Sequence, residues 1–79
     1  MKVYFIGAGP GDPDLITVRA VKILERSKIC IYAGSLVNPD ILKYLPKEAR
    51  ILDSASMTLD EVIAVYKEAK EIDEDVARV

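Results

Sequence analysis

The sequence holds no histidine, no tryptophan and a single cysteine among its 79 residues. One thiol cannot close an internal disulfide, so a stapled secreted scaffold is excluded. Without imidazole, a zinc site would have to be built almost entirely from carboxylates, and a hydrolase triad has no base for its serine. No metal is therefore expected. An excess of charge of one sign is also lacking. Lys plus Arg is 11 and Asp plus Glu is 13, so the net charge is 11 − 13 = −2. A chain this close to neutral has no field to draw in a nucleic acid or an anionic membrane. No apolar run approaches the ~20 residues of a membrane-spanning helix. The opening Met1-Lys2-Val3-Tyr4-Phe5-Ile6-Gly7 is too short an apolar stretch for a secretory leader and carries no cleavage signature. The expectation is a soluble, reduced, cytoplasmic protein. Its composition, 51% apolar and 30% charged, is that of a folded chain and not a disordered one.

What is present alternates between two patterns. Val3-Tyr4-Phe5-Ile6, Ile29-Cys30-Ile31-Tyr32-Ala33 and Arg50-Ile51-Leu52-Asp53 read as strands, the first two as unbroken runs suited to a sheet covered on both faces. Leu15 to Ser27 reads as a helix capped by Thr17, with Val18, Val21 and Leu24 as its apolar stripe and Ala20 and Ile23 widening it. Asn38-Pro39 starts a short helix that Pro46 ends. Thr58 and Glu61 form a capping box, with Met57 and Val62 placed as a hydrophobic staple. Leu59, Val62, Ile63, Tyr66 and Ala69 make that helix's apolar stripe, its charged end from Glu68 to Asp75 lies in solvent, and Val76–Val79 starts a fourth strand. Strands alternating with helices predict an α/β fold, three-layered αβα, around a parallel sheet of three to four strands with right-handed crossovers.

Between the first strand and the first helix lies Gly7-Ala8-Gly9-Pro10-Gly11-Asp12-Pro13-Asp14, a loop with three glycines and two prolines. In open parallel sheets, ligands bind beyond the carboxyl ends of strands, where this loop sits. Glycine lets a ligand approach main chain with no Cβ in the way. Two phosphate-binding patterns fail here. The dinucleotide fingerprint would place glycine where Asp12 stands, and the second strand ends Tyr32-Ala33-Gly34 without an acid for a ribose. The phosphate loop lacks its glycine-lysine pair, and an aspartate inside the loop repels phosphate. The loop suits close backbone contact with something not strongly anionic. A tight structural turn, with Asp12 and Asp14 capping the next helix, is the competing reading.

The segment Gly7-Ala8-Gly9-Pro10-Gly11-Asp12-Pro13-Asp14-Leu15-Ile16-Thr17 closely resembles the first motif of the tetrapyrrole methylases, which move a methyl group from S-adenosylmethionine to a corrin or porphyrin precursor. Ile31-Tyr32-Ala33-Gly34-Ser35-Leu36-Val37-Asn38-Pro39 and Asp53-Ser54-Ala55-Ser56-Met57-Thr58-Leu59 resemble the branch that methylates C-11 of precorrin-4 or cobalt-precorrin-4 in cobalamin (vitamin B12) biosynthesis. The resemblance spans the whole chain. It implies that Pro10, with Gly9 and Gly11, contacts S-adenosylmethionine. It also implies that Asp12 lies in the same trough, where the tetrapyrrole approaches. Ser35, just past the second strand at the ligand end of the sheet, is read from its position as a hydrogen-bond partner for a substrate carboxylate, with a turn role as the equal alternative. Relatives acting on uroporphyrinogen carry an aspartate where this chain has Ala33 and a lysine where it has Asp53-Ser54-Ala55, so no catalytic base is carried over. The family's Gly-Asp-Pro motif after the fourth strand would begin near Val79. Residues 1–79 are therefore expected to be a truncated N-terminal part of such an enzyme, with the second domain absent, inactive alone, and belonging to a homodimer.

A second expectation is a non-catalytic α/β fragment that self-associates through an exposed sheet edge. A nucleotide-binding module is weakened by the failed fingerprints. Cys30, among apolar neighbours, is expected to be a buried, inert thiol, and Tyr4 and Tyr32 to be core residues with a wet hydroxyl. The carboxylates Glu68, Glu71, Asp73, Glu74 and Asp75 match no calcium-loop spacing and read as a solvated helix end.

Overall fold

The computed structural model describes residues 2–7, 16–34 and 37–79. Its strands are β1 (Val3–Phe5), β2 (Ile29–Tyr32), β3 (Arg50–Asp53) and β4 (Val76–Arg78), all parallel, in the order β1-β4-β2-β3. The fourth strand, which the sequence only began to suggest, is a central one. Its amides and carbonyls continue the ladder past the strand ends, with the Ile6 amide donating to Arg78 O at 2.8 Å and the Val79 amide to Ile31 O at 3.0 Å.

Two helices, α1 (Val18–Glu25) and α2 (Leu59–Glu71), pack on opposite faces. The period-2 alternation of β2 and β4 divides the core between them. Cys30 and Ala77 join Ala20 and Leu24 of α1 on one face, together with Ile41 and Leu45. Ile29, Ile31 and Val76 join Val62, Val65 and Ala69 of α2 on the other. The crossovers from β1 to β2 and from β2 to β3 cross the α1 face in one direction, and the crossover from β3 to β4 returns over the opposite face. Reversing both direction and face keeps one hand throughout, as the right-handed rule requires. No helix among the described residues is long and apolar enough to cross a membrane.

The caps follow the sequence closely. Thr17 accepts the Ala20 amide at 3.2 Å at the start of α1. Thr58 and Glu61 form the reciprocal box at α2, and Met57 packs on the cluster that holds Val62. Four expectations need correction. Ile16 and Thr17 precede α1, because the threonine hydroxyl satisfies an amide only from a non-helical cap position. The Asn38-Pro39 segment is a 3-10 helix, Pro39–Tyr44, since Pro46 leaves too few residues to settle into α geometry. Ser54–Ser56 is a 3-10 turn capped by Asp53, where a plain loop was expected. The stripes are also rotated. Val18 (71%), Leu59 (73%) and Ile63 (40%) are exposed, while Val65 is buried. Val18 and Leu59 are the first residues of their helices, where the stripe begins and packing among the described residues is least.

Candidate functional site

All four strands point their carboxyl ends the same way, so the chain's exits converge on one edge: Gly7 after β1, Ala33-Gly34 after β2, Asp53-Ser54 after β3 and Val79 after β4. Pro10, Gly9, Gly11 and Asp12, and likewise Ser35, lie outside the described residues. The structure describes their anchors. Gly7 and Thr17 bracket the glycine loop, and Gly34 and Val37 bracket Ser35. Since β4 separates β1 from β2, the two anchors at this edge are two strand spacings apart, roughly 10 Å.

A cleft of about 330 Å³ opens beside β1, lined by Tyr4, Ile6, Gly7, Thr17, Arg19 and Ile23 among others. Its wall is mixed. Ile6 and Ile23 are aliphatic, Thr17 and Arg19 are polar, and at Gly7 a Cβ would meet nothing within 4 Å among the described residues. Against those residues, main chain at the end of β1 faces open space, as a close-approach site needs. Tyr4 is half-buried, with the Arg26 guanidinium 5.6 Å from its ring centroid. That contact steadies the ring as cleft wall. Tyr32 is half-buried at the end of β2, so both tyrosines are boundary residues and not full core.

At the β2–β3 side the edge is tied by side chains. Asp53 Oδ1 accepts the amides of Gly34 at 3.0 Å and Ala55 at 2.9 Å. The Ser54 hydroxyl donates to Tyr32 O at 3.2 Å. Sequence reading missed this cluster. An Asx turn was legible in Asp53-Ser54-Ala55, but the long-range bond to Gly34 required knowing that β2 and β3 are neighbours in register. A second missed contact is the Arg78 guanidinium donating to the Tyr66 hydroxyl at 2.8 Å, which joins the carboxyl end of β4 to α2.

Cys30 is fully buried in mid-β2, and desolvation pushes its thiol up to about 11. A thiol held neutral in this way is neither nucleophile nor ligand. No group of three or more metal-ligating side chains gathers among the described residues. The carboxylate described at this edge, Asp53, is engaged by the Gly34 and Ala55 amides.

The model of the Tetrapyrrole (Corrin/Porphyrin) Methylases matches residues 2–79. The chain is 53% identical over 79 residues to the precorrin-4 C(11)-methyltransferase of Rhodococcus erythropolis, covering 100% of this chain and 32% of that protein. It is 47% identical over 78 residues to the cobalt-precorrin-4 C(11)-methyltransferase of Methanocaldococcus jannaschii, covering 99% of this chain and 30% of that one. Among solved structures, the cobalamin biosynthetic enzyme cobalt precorrin-4 methyltransferase, CbiF, superposes with a TM-score of 0.91 at 41% identity, over 99% of this chain and 33% of CbiF. The chain spans about a third of the length of these relatives. With a matching family model over nearly every residue, a shared parallel sheet and identities near one half, this chain belongs to the tetrapyrrole methylases.

Proposed function

We propose that the protein to which this chain corresponds is an S-adenosylmethionine-dependent methyltransferase acting at C-11 of precorrin-4 or cobalt-precorrin-4 in cobalamin biosynthesis. The observation that carries this reading is the 53% identity, across all 79 residues, to a precorrin-4 C(11)-methyltransferase. Residues 1–79 form the N-terminal part of the catalytic unit, and the remaining length of the relatives supplies the second domain. The geometry supports the same chemistry. Among the described residues, Gly7 leaves main chain facing open space beside a wall that pairs aliphatic Ile6 and Ile23 with polar Thr17 and Arg19, a setting in which an adenosyl group and a flat macrocycle can lie close to backbone.

S-adenosylmethionine supplies a methyl group already activated by its sulfonium charge. The chain's own work is then placement. Gly9, Pro10 and Gly11 hold the donor, Asp12 and Ser35 orient the tetrapyrrole, and the sheet edge keeps the two in line at a reacting distance of ~3 Å, an arrangement that removes much of the barrier without a protein base. The polypeptide is read as a cytoplasmic homodimer, supported by a free buried thiol suited to a reducing compartment and by edge strands β1 and β3.

Isothermal titration with S-adenosylmethionine tests the reading in two arms. A protein of the relatives' full length carrying this sequence binds the donor and methylates precorrin-4. The 79-residue chain alone binds more weakly than micromolar. Replacing Gly9 and Pro10 by bulkier residues in the longer form abolishes donor binding while leaving the circular dichroism spectrum intact. Micromolar affinity in the short chain refutes the reading that the donor site is incomplete within residues 1–79, and retained binding in the bulky variants removes the loop from the site. A second reading, self-association without catalysis, is favoured by Phe5, 77% exposed on edge strand β1. A monomer in size-exclusion chromatography removes it.

A further inference from the structure

Asp53 ends β3 and caps the 3-10 turn that follows, accepting the Ala55 amide at 2.9 Å. The cap needs no more than that bond. The same oxygen also reaches across to the neighbouring strand and accepts the Gly34 amide at 3.0 Å, nineteen residues earlier in sequence. Beside it, the Ser54 hydroxyl holds Tyr32 O, the last carbonyl of β2, at 3.2 Å. Consecutive side chains at the exit of β3, Asp53 and Ser54, thus grip Gly34 and Tyr32, on either side of Ala33, at the exit of β2. Gly34 is cut to fit this grip. A Cβ there would lie 2.6 Å from Asp53 Cγ and 2.6 Å from Oδ1, inside any permitted contact. Next to Gly34, the Ala33 carbonyl accepts the Val37 amide at 2.9 Å.

We propose that Asp53 is a positioning residue for the substrate side of the site: its carboxylate and Gly34 form a clasp that locks the end of β2 to the exit of β3, at the sheet edge where the function proposed above holds the tetrapyrrole. The substrate half of this statement rests on the function proposed above. The clasp itself does not, and it is testable separately.

In a full-length protein carrying this sequence, Asp53→Ala removes both acceptor contacts, whereas Asp53→Asn keeps an amide oxygen for the two N–H groups and removes the charge. A misplaced binding segment weakens substrate capture, so Asp53→Ala raises KM for the tetrapyrrole by about tenfold or more while kcat stays within about threefold. The affinity for S-adenosylmethionine, measured calorimetrically, does not move. Asp53→Asn restores KM to within about threefold of the parent. Loss of fold would instead lower the concentration of active protein and the apparent kcat, so the KM-against-kcat split separates the two. An unchanged KM in Asp53→Ala overturns the positioning role, and so does an Asp53→Asn variant as impaired as Asp53→Ala. In the same full-length protein, Asp53→Ala speeds deuterium exchange at both the Gly34 and the Ala55 amide, and Asp53→Asn does not. Unchanged exchange at either amide in Asp53→Ala overturns the clasp, whatever the activity. Faster exchange at both amides with no methyl transfer in the parent overturns the substrate role while leaving the clasp in place.

Discussion

Replacing Gly34 by alanine tests the clasp through its other half. The added methyl would stand 2.6 Å from Asp53 Cγ and Oδ1, so the carboxylate has to leave. An aspartate has only two torsions, and turning it costs little in itself. The loss lies in the two amide bonds, to Gly34 and Ala55, that one charged oxygen accepts. Hydrogen bonds to a charged group are worth about 1.5–3 kcal/mol each when buried. This site is only partly buried, and the freed amides regain some water, so about 2 kcal/mol in total is the expected cost. For a domain of this size that corresponds to a fall in Tm of roughly 8–16 °C. Urea and thermal unfolding followed by circular dichroism, on the parent, Gly34→Ala, Asp53→Ala and the double variant, complete a cycle. In the Asp53→Ala background the methyl meets no carboxylate, and the same alanine costs less than about 0.5 kcal/mol or stabilises slightly by restricting the unfolded chain. A Gly34→Ala protein as stable as the parent refutes the argument. An equal penalty in both backgrounds refutes it as well, since main chain and not the carboxylate would then be what excludes the methyl.

The core and the thiol give further tests. Leu24 is fully buried against Cys30, Ile41 and Ala77, so Leu24→Ala costs about 2–5 kcal/mol, while Leu24→Met costs less than about 1.5 kcal/mol. Urea midpoints that fail to separate the two substitutions contradict the packing. Cys30 reacts slowly with a disulfide reagent at pH 8 when folded and releases one equivalent of thiolate in denaturant, and equal rates in both states contradict its burial. Its pH dependence has a definite sign. The folded thiol is pushed from 9.0 up to about 11, so the unfolded chain ionises first as pH rises. The stability contributed by keeping the thiol neutral is whole below pH 9, declines as pH rises through the interval to 11 and is spent above it. Cys30→Ala flattens that alkaline decline, and an unchanged profile excludes the thiol as its source.

The elements announced by local chemistry were legible in the sequence. Thr17, Asn38 and Thr58 cap where they were expected to cap, because a side-chain oxygen and a nearby amide are a matter of a few residues. The apolar run of β2 reads as a doubly covered strand, and it is one. What escaped depends on who lies beside whom. Val65 was passed over and Ile63 favoured, although both are aliphatic and near one stripe, since the angle at which α2 lies on the sheet decides between them. The central place of β4 was invisible, as three residues of ordinary strand composition carry no mark of their rank in a sheet. Of the glycine loop, Gly7 leaves β1 at the carboxyl edge of the sheet, as its place after β1 predicts, and the rest of the loop lies outside the described residues. The Asp53–Gly34 pair spans nineteen residues and two strands, and no local pattern encodes it.

The strand order has a consequence for biosynthesis. β1 and β2 never touch as ladder partners. The slot between them stays vacant until residues 76–78 emerge and slide in with hydrogen bonds on both sides. A nascent chain halted before that point would present two raw strand margins and an ungreased gap, the kind of surface that chaperones retain and that aggregates seed upon. Closure by the latecomer makes the sheet's assembly a single late event dominated by distant pairings, so folding should be slow for so short a chain, with any ribosome pause upstream of Val76 prolonging its most vulnerable interval.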